Sequence, residues 1–320
     1  MRALVISGGG SKGAYAGGVA QHLIEVQSHN YDIFIGTSTG SLLLPHLALG
    51  EVQKIKNIYT QVSPVSIFNV NPFIVKRKGK REYVSIHHWN VLWQLLRNKR
   101  TFGESKALRK NIAKSFTIEE FNRLKNSSKE VVVTVSNLSK NVIEYKSIHQ
   151  CTYTDFCDWM WISANYVPFM SLVTKDGFEY ADGGFGAVTP IREAIRRGAK
   201  EVDAIILEAE NMEYNKVLGK NPFSLMVNLF GFVVDQIEYH NITEGKLAAM
   251  TKDVALNLYY TPTKLTENSL IFDKKLMSNW WERGFKAAQK RVAASKVTLE
   301  HTQVLESRQN AETLNCEESS

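Results

Sequence analysis

Apolar residues fall along this chain in two rhythms. One is the short unbroken run: "RALVIS" at the start, "YDIFIG" at 31–36, then "EVVVTVSN", "EVDAIILE" and "VALNLYY". Runs of this length, rich in Val and Ile, predict buried strands. The other rhythm repeats every three to four positions and predicts helices. These are Gly13 to Gln27, "SLLLPHLALG", "EVQKIKNIYT", "YTDFCDWMWISANY" ending at Pro168, "PIREAIRRG", and a long amphipathic segment from Phe272 to Val292. Pro45, inside the second of these, is expected to kink it. Strands separated by helices predict a largely parallel sheet covered on both faces. Two departures are local: the turn-rich "NLSKN" joins "EVVVTVSN" to "NVIEYKSI" as a hairpin, and a short strand pair ends in "FEYADGG".

Three stretches follow neither rhythm cleanly. Ser63 to Asn126 reads as basic helices without clear strands, an insertion or lid on the core; within it "TIEEFNRLKN" opens with a Thr117–Glu120 capping box. "NPFSLMVNLFGFVV", 221–234, is too short for a membrane span and carries Ser224 and Asn228. It reads as a buried helix or as a surface that meets lipid. From about Leu299 the chain turns polar and acidic, and disorder is expected. The expected organisation is one domain over 1–298, with 63–126 inserted, and a tail over 299–320.

Composition narrows this further. Over 320 residues, 44% hydrophobic and 22% charged content excludes wholesale disorder. The net charge of +7 is unevenly placed: 71–130 holds 15 basic and 5 acidic residues, a local +10, and the remainder is at −3. "KRKGKR" and "RNKR" dominate the basic region, with Tyr83, Trp89 and Trp93 between and around them. The pattern is either a solvated helical face or a region drawn to anionic phospholipid head groups, with the aromatics as interfacial anchors. No nucleic-acid module accompanies the charge, so no nucleic-acid partner is expected. Cys151, Cys157 and Cys316 are odd in number and lack C-x-x-C spacing, which argues against a disulfide framework or zinc site and for a reducing compartment. Only Met1 and Arg2 precede the first strand, so no secretory signal is expected. The expected location is cytoplasmic, with peripheral association to an anionic membrane through the basic region.

The candidate chemistry lies in three glycine motifs. "SGGGSKGAYAGG" (Ser7–Gly18) directly follows the first strand. Gly8, Gly10 and Gly13 fit the dinucleotide fingerprint G-x-G-x-x-G, and the same loop fits one whose amides stabilise an oxyanion. A Rossmann unit wants an acid at the end of its second strand, but Asp32 stands at the start of "DIFIG". A P-loop is excluded because Gly13 follows Lys12 where Ser or Thr is required.

Gly36-Thr37-Ser38-Thr39-Gly40 is G-x-S-x-G between an apolar strand and an apolar helix, the setting of a nucleophile elbow. Ser38 is the candidate nucleophile, with Gly36 and Gly40 relieving crowding on either side. A serine needs a base. Downstream, His240 lies in a predicted helix and His301 in the polar tail, so a histidine triad is poorly supported. A carboxylate acting directly is the alternative, and Asp182 in "EYADGG", followed by Gly183 and Gly184, is the best placed.

Taken together, "GGGSKG", "GTSTG" and "DGG", in this order, resemble the patatin-like phospholipase family over Arg2 to about Gly198, and "SANYVPFM" is similar to a family segment lying between nucleophile and base. The resemblance implies a three-layer α/β/α sandwich that hydrolyses fatty acyl esters of phospholipids or related lipids. It implies a Ser–Asp dyad, with Ser38 as nucleophile and Asp182 as proton acceptor. The amides of Gly8, Gly9 and Gly10 would form the oxyanion hole, and no metal or cofactor is expected. Lys12 stands where the family loop often has Arg, which keeps the charge without the planar fork. Two other functions fit parts of the sequence. One is a dinucleotide-binding enzyme, which leaves "GTSTG" and "DGG" unexplained; the other is a catalytically silent patatin-like module that binds lipid or a partner.

Overall fold

The computed structural model describes residues 1–78, 81–210, 222–266 and 268–291. The expected tail at 299–320 lies outside these residues. Its strands are β1 (Arg2–Ile6), β2 (Ile33–Thr37), β3 (Phe73–Lys78), β4 (Arg81–Ile86), β5 (Glu130–Asn137), β6 (Val142–Ser147), β7 (Val173–Lys175), β8 (Phe178–Asp182), β9 (Glu201–Ala209) and β10 (Ala255–Thr261). The helices are α1 (Gly13–Gln21), α2 (Thr39–Ala48), α3 (Val52–Thr60), α4 (Pro64–Ile67), α5 (His88–Leu96), α6 (Lys106–Ser115), α7 (Ile118–Lys125), α8 (Tyr153–Ser163), α9 (Ile191–Arg196), α10 (Pro222–Lys252) and α11 (274–291).

Eight strands form one sheet in the order β10-β9-β1-β2-β5-β8-β7, with β6 also paired to β5. The five from β10 to β5 run parallel; β6, β7 and β8 add antiparallel pairings. Alternate strand residues feed two separate cores, as the two-residue repeat of a strand requires. Leu4, Ile6, Phe34, Val131, Val133 and Val135 face one way, into a core with α1, α2, α8 and α11 that includes the buried Trp281. Ala3, Val5, Ile33, Ile35 and Val132 face the other, against α9 and Ala249 of α10. This is an α/β/α sandwich with a mostly parallel sheet, as expected.

The register of β5 brings two chain ends together. β2 runs parallel to β5 and ends with Thr37 opposite Thr134. β8 runs antiparallel and ends with Asp182 opposite Val135. The two strands therefore stop head to head along β5, and the residues at their tips, Ser38 and Asp182, must meet.

Three expectations change. The 63–126 segment is not purely helical, because β3 and β4 pair as an antiparallel hairpin from Phe73↔Ile86 to Lys78↔Arg81. The β-forming "FIV" and "YVSI" runs on its two arms were obscured by the basic residues between them. The 221–234 stretch is not a buried helix: α10 exposes Leu225, Leu229 and Phe232 while Val227, Gly231 and Val234 line a cleft. The first helix is shorter than expected, α1 giving way after Gln21 to a wider helical turn over His22–Val26. Pro45 lies inside α2, which continues to Ala48. Cys151 and Cys157 are buried free thiols, and Cys316 lies outside the described residues. Among the described residues, no helix is long and apolar enough to cross a membrane.

Candidate active site

β2 delivers the chain to Ser38 in a backbone conformation an L-residue adopts only under constraint, φ 54 and ψ −120. Two glycines make the turn possible. A Cβ on Gly36 would stand 2.6 Å from the Gly40 carbonyl carbon, and one on Gly40 would overlap the Ile6 carbonyl of neighbouring β1. Ser38 caps α2, whose positive N-terminal end favours negative charge at this point. Its amide donates to Ser163 Oγ at 2.9 Å, and its own Oγ donates to Asp182 Oδ2 at 2.7 Å.

Asp182 is buried at the tip of β8. Its other oxygen, Oδ1, accepts the Gly184 amide at 2.8 Å, its carbonyl accepts Ser136 Oγ at 2.8 Å, and its amide donates to the Asn165 carbonyl at 3.0 Å. Burial raises the carboxyl from 3.8 to about 7, outweighing the hydrogen bonds from Ser38 and Gly184, which favour the ionised form. A carboxylate at this value accepts a proton near neutral pH far more readily than a solvated aspartate does. Gly183 lies tightly over the Thr134 carbonyl, holding the turn against β5.

The loop after β1 faces the same point. The Gly8 amide is already committed, donating to the Val188 carbonyl at 3.1 Å, and Gly8 lies against the Ser38 Cβ. Among the described residues, the amides of Gly9 and Gly10 have no hydrogen-bond partner. Gly10 takes φ +54, where a Cβ would overlap the Ser269 carbonyl, while its own carbonyl accepts Tyr59 Oη at 2.7 Å. Lys12 is buried and ion-paired with Glu208, and Gly13 opens α1 beneath Thr39 and Tyr59. The sequence motifs thus converge on one spot.

That spot is the floor of an open cleft of about 2260 Å³, lined by Ser38, Asp182 and the Gly8–Gly10 loop. Its apolar walls include Leu42, Ile58, Ile112, Met160, Phe169 and Val227, drawn from α2, α3, α6, α8 and α10 and from the stretch after α8. Sequence reading missed a group of carboxylates beside the loop: Glu208, Asp235 and Glu238 line the cleft near Lys12. Burial first, then the neighbouring Glu208, raises Glu238 to about 8; the same causes raise Asp235. It also gave no role to Ser163, the first letter of the segment "SANYVPFM". His46, Glu51 and Glu120 are the group of three possible metal ligands among the described residues. Lys54 is already paired with Glu120, and Arg123 with Glu51 at 2.9 Å, so two cations serve those carboxylates.

The strained turn at Ser38, the buried Asp182 bonded to it and the glycine loop after β1 thus stand together at one point of an α/β/α sandwich. The patatin-like phospholipase family model matches residues 4–195, and the chain belongs to that family, whose members are lipid acyl hydrolases. Among solved structures, VipD from Legionella pneumophila is similar at 14% identity and a TM-score of 0.49, over 92% of this chain and 67% of that one. No curated protein matches the chain.

Proposed function

We propose that this protein hydrolyses fatty acyl esters of phospholipids or related lipids through a Ser38–Asp182 dyad and a covalent acyl-enzyme. The observation that carries the reading is the 2.7 Å hydrogen bond from Ser38 Oγ to a buried Asp182 whose carboxyl is raised to about 7. Asp182 takes the hydroxyl proton as Ser38 Oγ attacks the ester carbonyl, forming the C–O bond and driving the carbonyl electrons onto oxygen. The Gly9 and Gly10 amides receive that oxyanion. Gly8, its amide engaged, sets the loop's height over Ser38. Collapse of the intermediate expels the alcohol or lysolipid, which leaves with the proton held by Asp182. Water, deprotonated by the same carboxylate, then releases the fatty acid.

Membrane association belongs to the same reading. α5 exposes Trp89 (77%), Trp93 (57%) and Leu96 beside the exposed Arg97, Lys99 and Arg100. Exposed aromatic and leucyl side chains next to cations suit an anionic phospholipid surface. Leu225, Leu229 and Phe232 of α10 add a second apolar face, on a helix whose other side lines the cleft. The basic 76–81 stretch and Tyr83 belong to the same basic region, but their side chains lie outside the described ones.

The test is release of fatty acid from phospholipid vesicles and turnover of a soluble ester by wild type, Ser38→Ala and Asp182→Asn. Loss of both activities in both variants is expected. Fatty-acid release that persists in Ser38→Ala would assign the chemistry elsewhere.

A further inference from the structure

Between α8 and β7 the chain makes contacts that the dyad mechanism leaves unused. Ser163, the last residue of α8, is fully buried, and its hydroxyl oxygen accepts the Ser38 amide at 2.9 Å. Two residues on, the Asn165 carbonyl accepts the Asp182 amide at 3.0 Å. One short segment therefore holds the backbone of both members of the dyad. The Ser38 contact matters most, because φ 54 and ψ −120 is a conformation that relaxes unless its surroundings hold it.

The far end of this segment is bonded to the returning arm of the insertion. The insertion leaves and re-enters the core through a neck, where the Asn69 amide donates to the Glu104 carbonyl at 2.8 Å and the Glu104 amide to Val70 at 3.0 Å. Just beyond the neck, the Phe102 amide donates to the Pro168 carbonyl at 2.8 Å and the Ser105 amide to Ser171 Oγ at 2.9 Å. Ser105 Oγ donates to Asn165 Oδ1, and Trp161 Nε1 donates to the Ser105 carbonyl at 3.0 Å. Ser105, Asn165 and Ser171 are all buried. A buried polar network of this kind fixes one arrangement, since each bond lost leaves a desolvated group unpaired.

From this juxtaposition we propose that residues 163–171 form a strap that positions the dyad and ties it to the neck of the insertion, with Ser163 and Asn165 as positioning residues. The proposal rests on the dyad reading above. Ser163 acts on the rate of attack by holding Ser38 in place, and its own side chain is not among those that line the cleft. Ser105 acts one step further out, through Asn165.

The experiment is the rate of fluorophosphonate labelling at Ser38 against probe concentration, for wild type, Ser163→Ala, Ser163→Thr and Ser105→Ala, with thermal unfolding of each. A misplaced nucleophile costs up to about 100-fold in rate. The expected result is that Ser163→Ala labels about 10- to 100-fold more slowly at saturation, with the half-saturating concentration within about twofold. Ser163→Thr, which keeps the acceptor oxygen, recovers most of the rate. Ser105→Ala slows labelling about threefold, the scale of one lost hydrogen bond. Labelling of a folded Ser163→Ala at the wild-type rate overturns the proposal, as does equal slowing in the Ala and Thr variants, which would assign the effect to packing. Should Ser163→Ala not fold, Ser105→Ala decides: slowing supports the strap and an unchanged rate overturns it. If wild type is not labelled at Ser38, the hydrolase reading and the strap fall together; if wild type is labelled and the variants match it, only the strap falls.

Discussion

The floor and the rim of the cleft are built on opposite principles. At the floor, each reactive group is held by backbone: β2 and β8 end against consecutive residues of β5, Ser38 and Asp182 follow from that register, and glycines let the turns close. At the rim, α5 and α10 leave large apolar side chains in solvent, and the exposed Arg97, Lys99 and Arg100 follow directly after α5. Geometry at the floor is set by hydrogen bonds that cannot slide without flipping a strand. The β3–β4 hairpin itself packs on the segment after α8 through a small cluster around Phe73, Phe169 and Met170. On the proposed reading, chemistry belongs to the floor and lipid capture to the rim, and substitutions should sort into two classes.

The largest effects belong to the floor. Ser38→Ala and Asp182→Asn should each reduce ester turnover by about 10³-fold or more and by similar amounts, since the two act as one unit; steady-state kinetics on a soluble ester reads this. Asp182→Asn should at the same time stabilise the fold. The folded carboxyl titrates at about 7 against 3.8 in a solvated aspartate. Its contribution to stability is therefore fully present below about pH 4 and is lost as pH rises toward 7. Denaturant unfolding should show Asp182→Asn more stable than wild type at pH 8, on the order of a few kcal/mol, and little different near pH 4. A variant no more stable at pH 8 would contradict a desolvated carboxylate.

Next in size is the loop. Gly10→Ala forces a Cβ onto the Ser269 carbonyl at a positive φ, and should lower kcat about 100-fold, the scale of one lost oxyanion donor, with KM little changed. The pH profile gives a smaller effect. If Asp182 accepts the Ser38 proton, as proposed, it must be ionised to do so, and kcat/KM should rise about tenfold per pH unit below 7 and level off above it. A plateau extending down to pH 5 would mean an unperturbed carboxyl.

The smallest effects on chemistry belong to the rim. Trp89→Ala with Trp93→Ala, or Leu229→Asp, should weaken binding to anionic vesicles about tenfold while turnover of a soluble ester stays within about twofold. Binding should also fall with added salt, as screening of the basic region requires. Vesicle sedimentation separates these outcomes, and equal losses on vesicles and soluble ester would erase the distinction between floor and rim.

The same division governed what could be read from the letters. The buried strands, the elbow at Ser38 and the turn at Asp182 were legible because each demands a residue type: Val and Ile where both faces are covered, glycine where a Cβ collides, a carboxylate where the candidate serine needs a base. Gly8 was legible as part of the loop, but not that its amide is spent on Val188, since that bond depends on where a distant segment lands. The β3–β4 hairpin was hidden because its β-forming residues are interrupted by lysines and arginines. The exposed face of α10 was hidden because an apolar run looks the same whether its neighbours cover it or not. Ser163 was legible only as the first letter of "SANYVPFM"; its contact with the Ser38 amide was not, because only the fold brings the two together.

The most direct test of the dyad is intact mass after exposure to a fluorophosphonate, with wild type beside Ser38→Ala and Asp182→Asn. The account predicts one adduct on wild type, mapped to Ser38, none on Ser38→Ala, and labelling of Asp182→Asn slowed by orders of magnitude. An adduct that survives Ser38→Ala, or an Asp182→Asn protein labelled as fast as wild type, would contradict it.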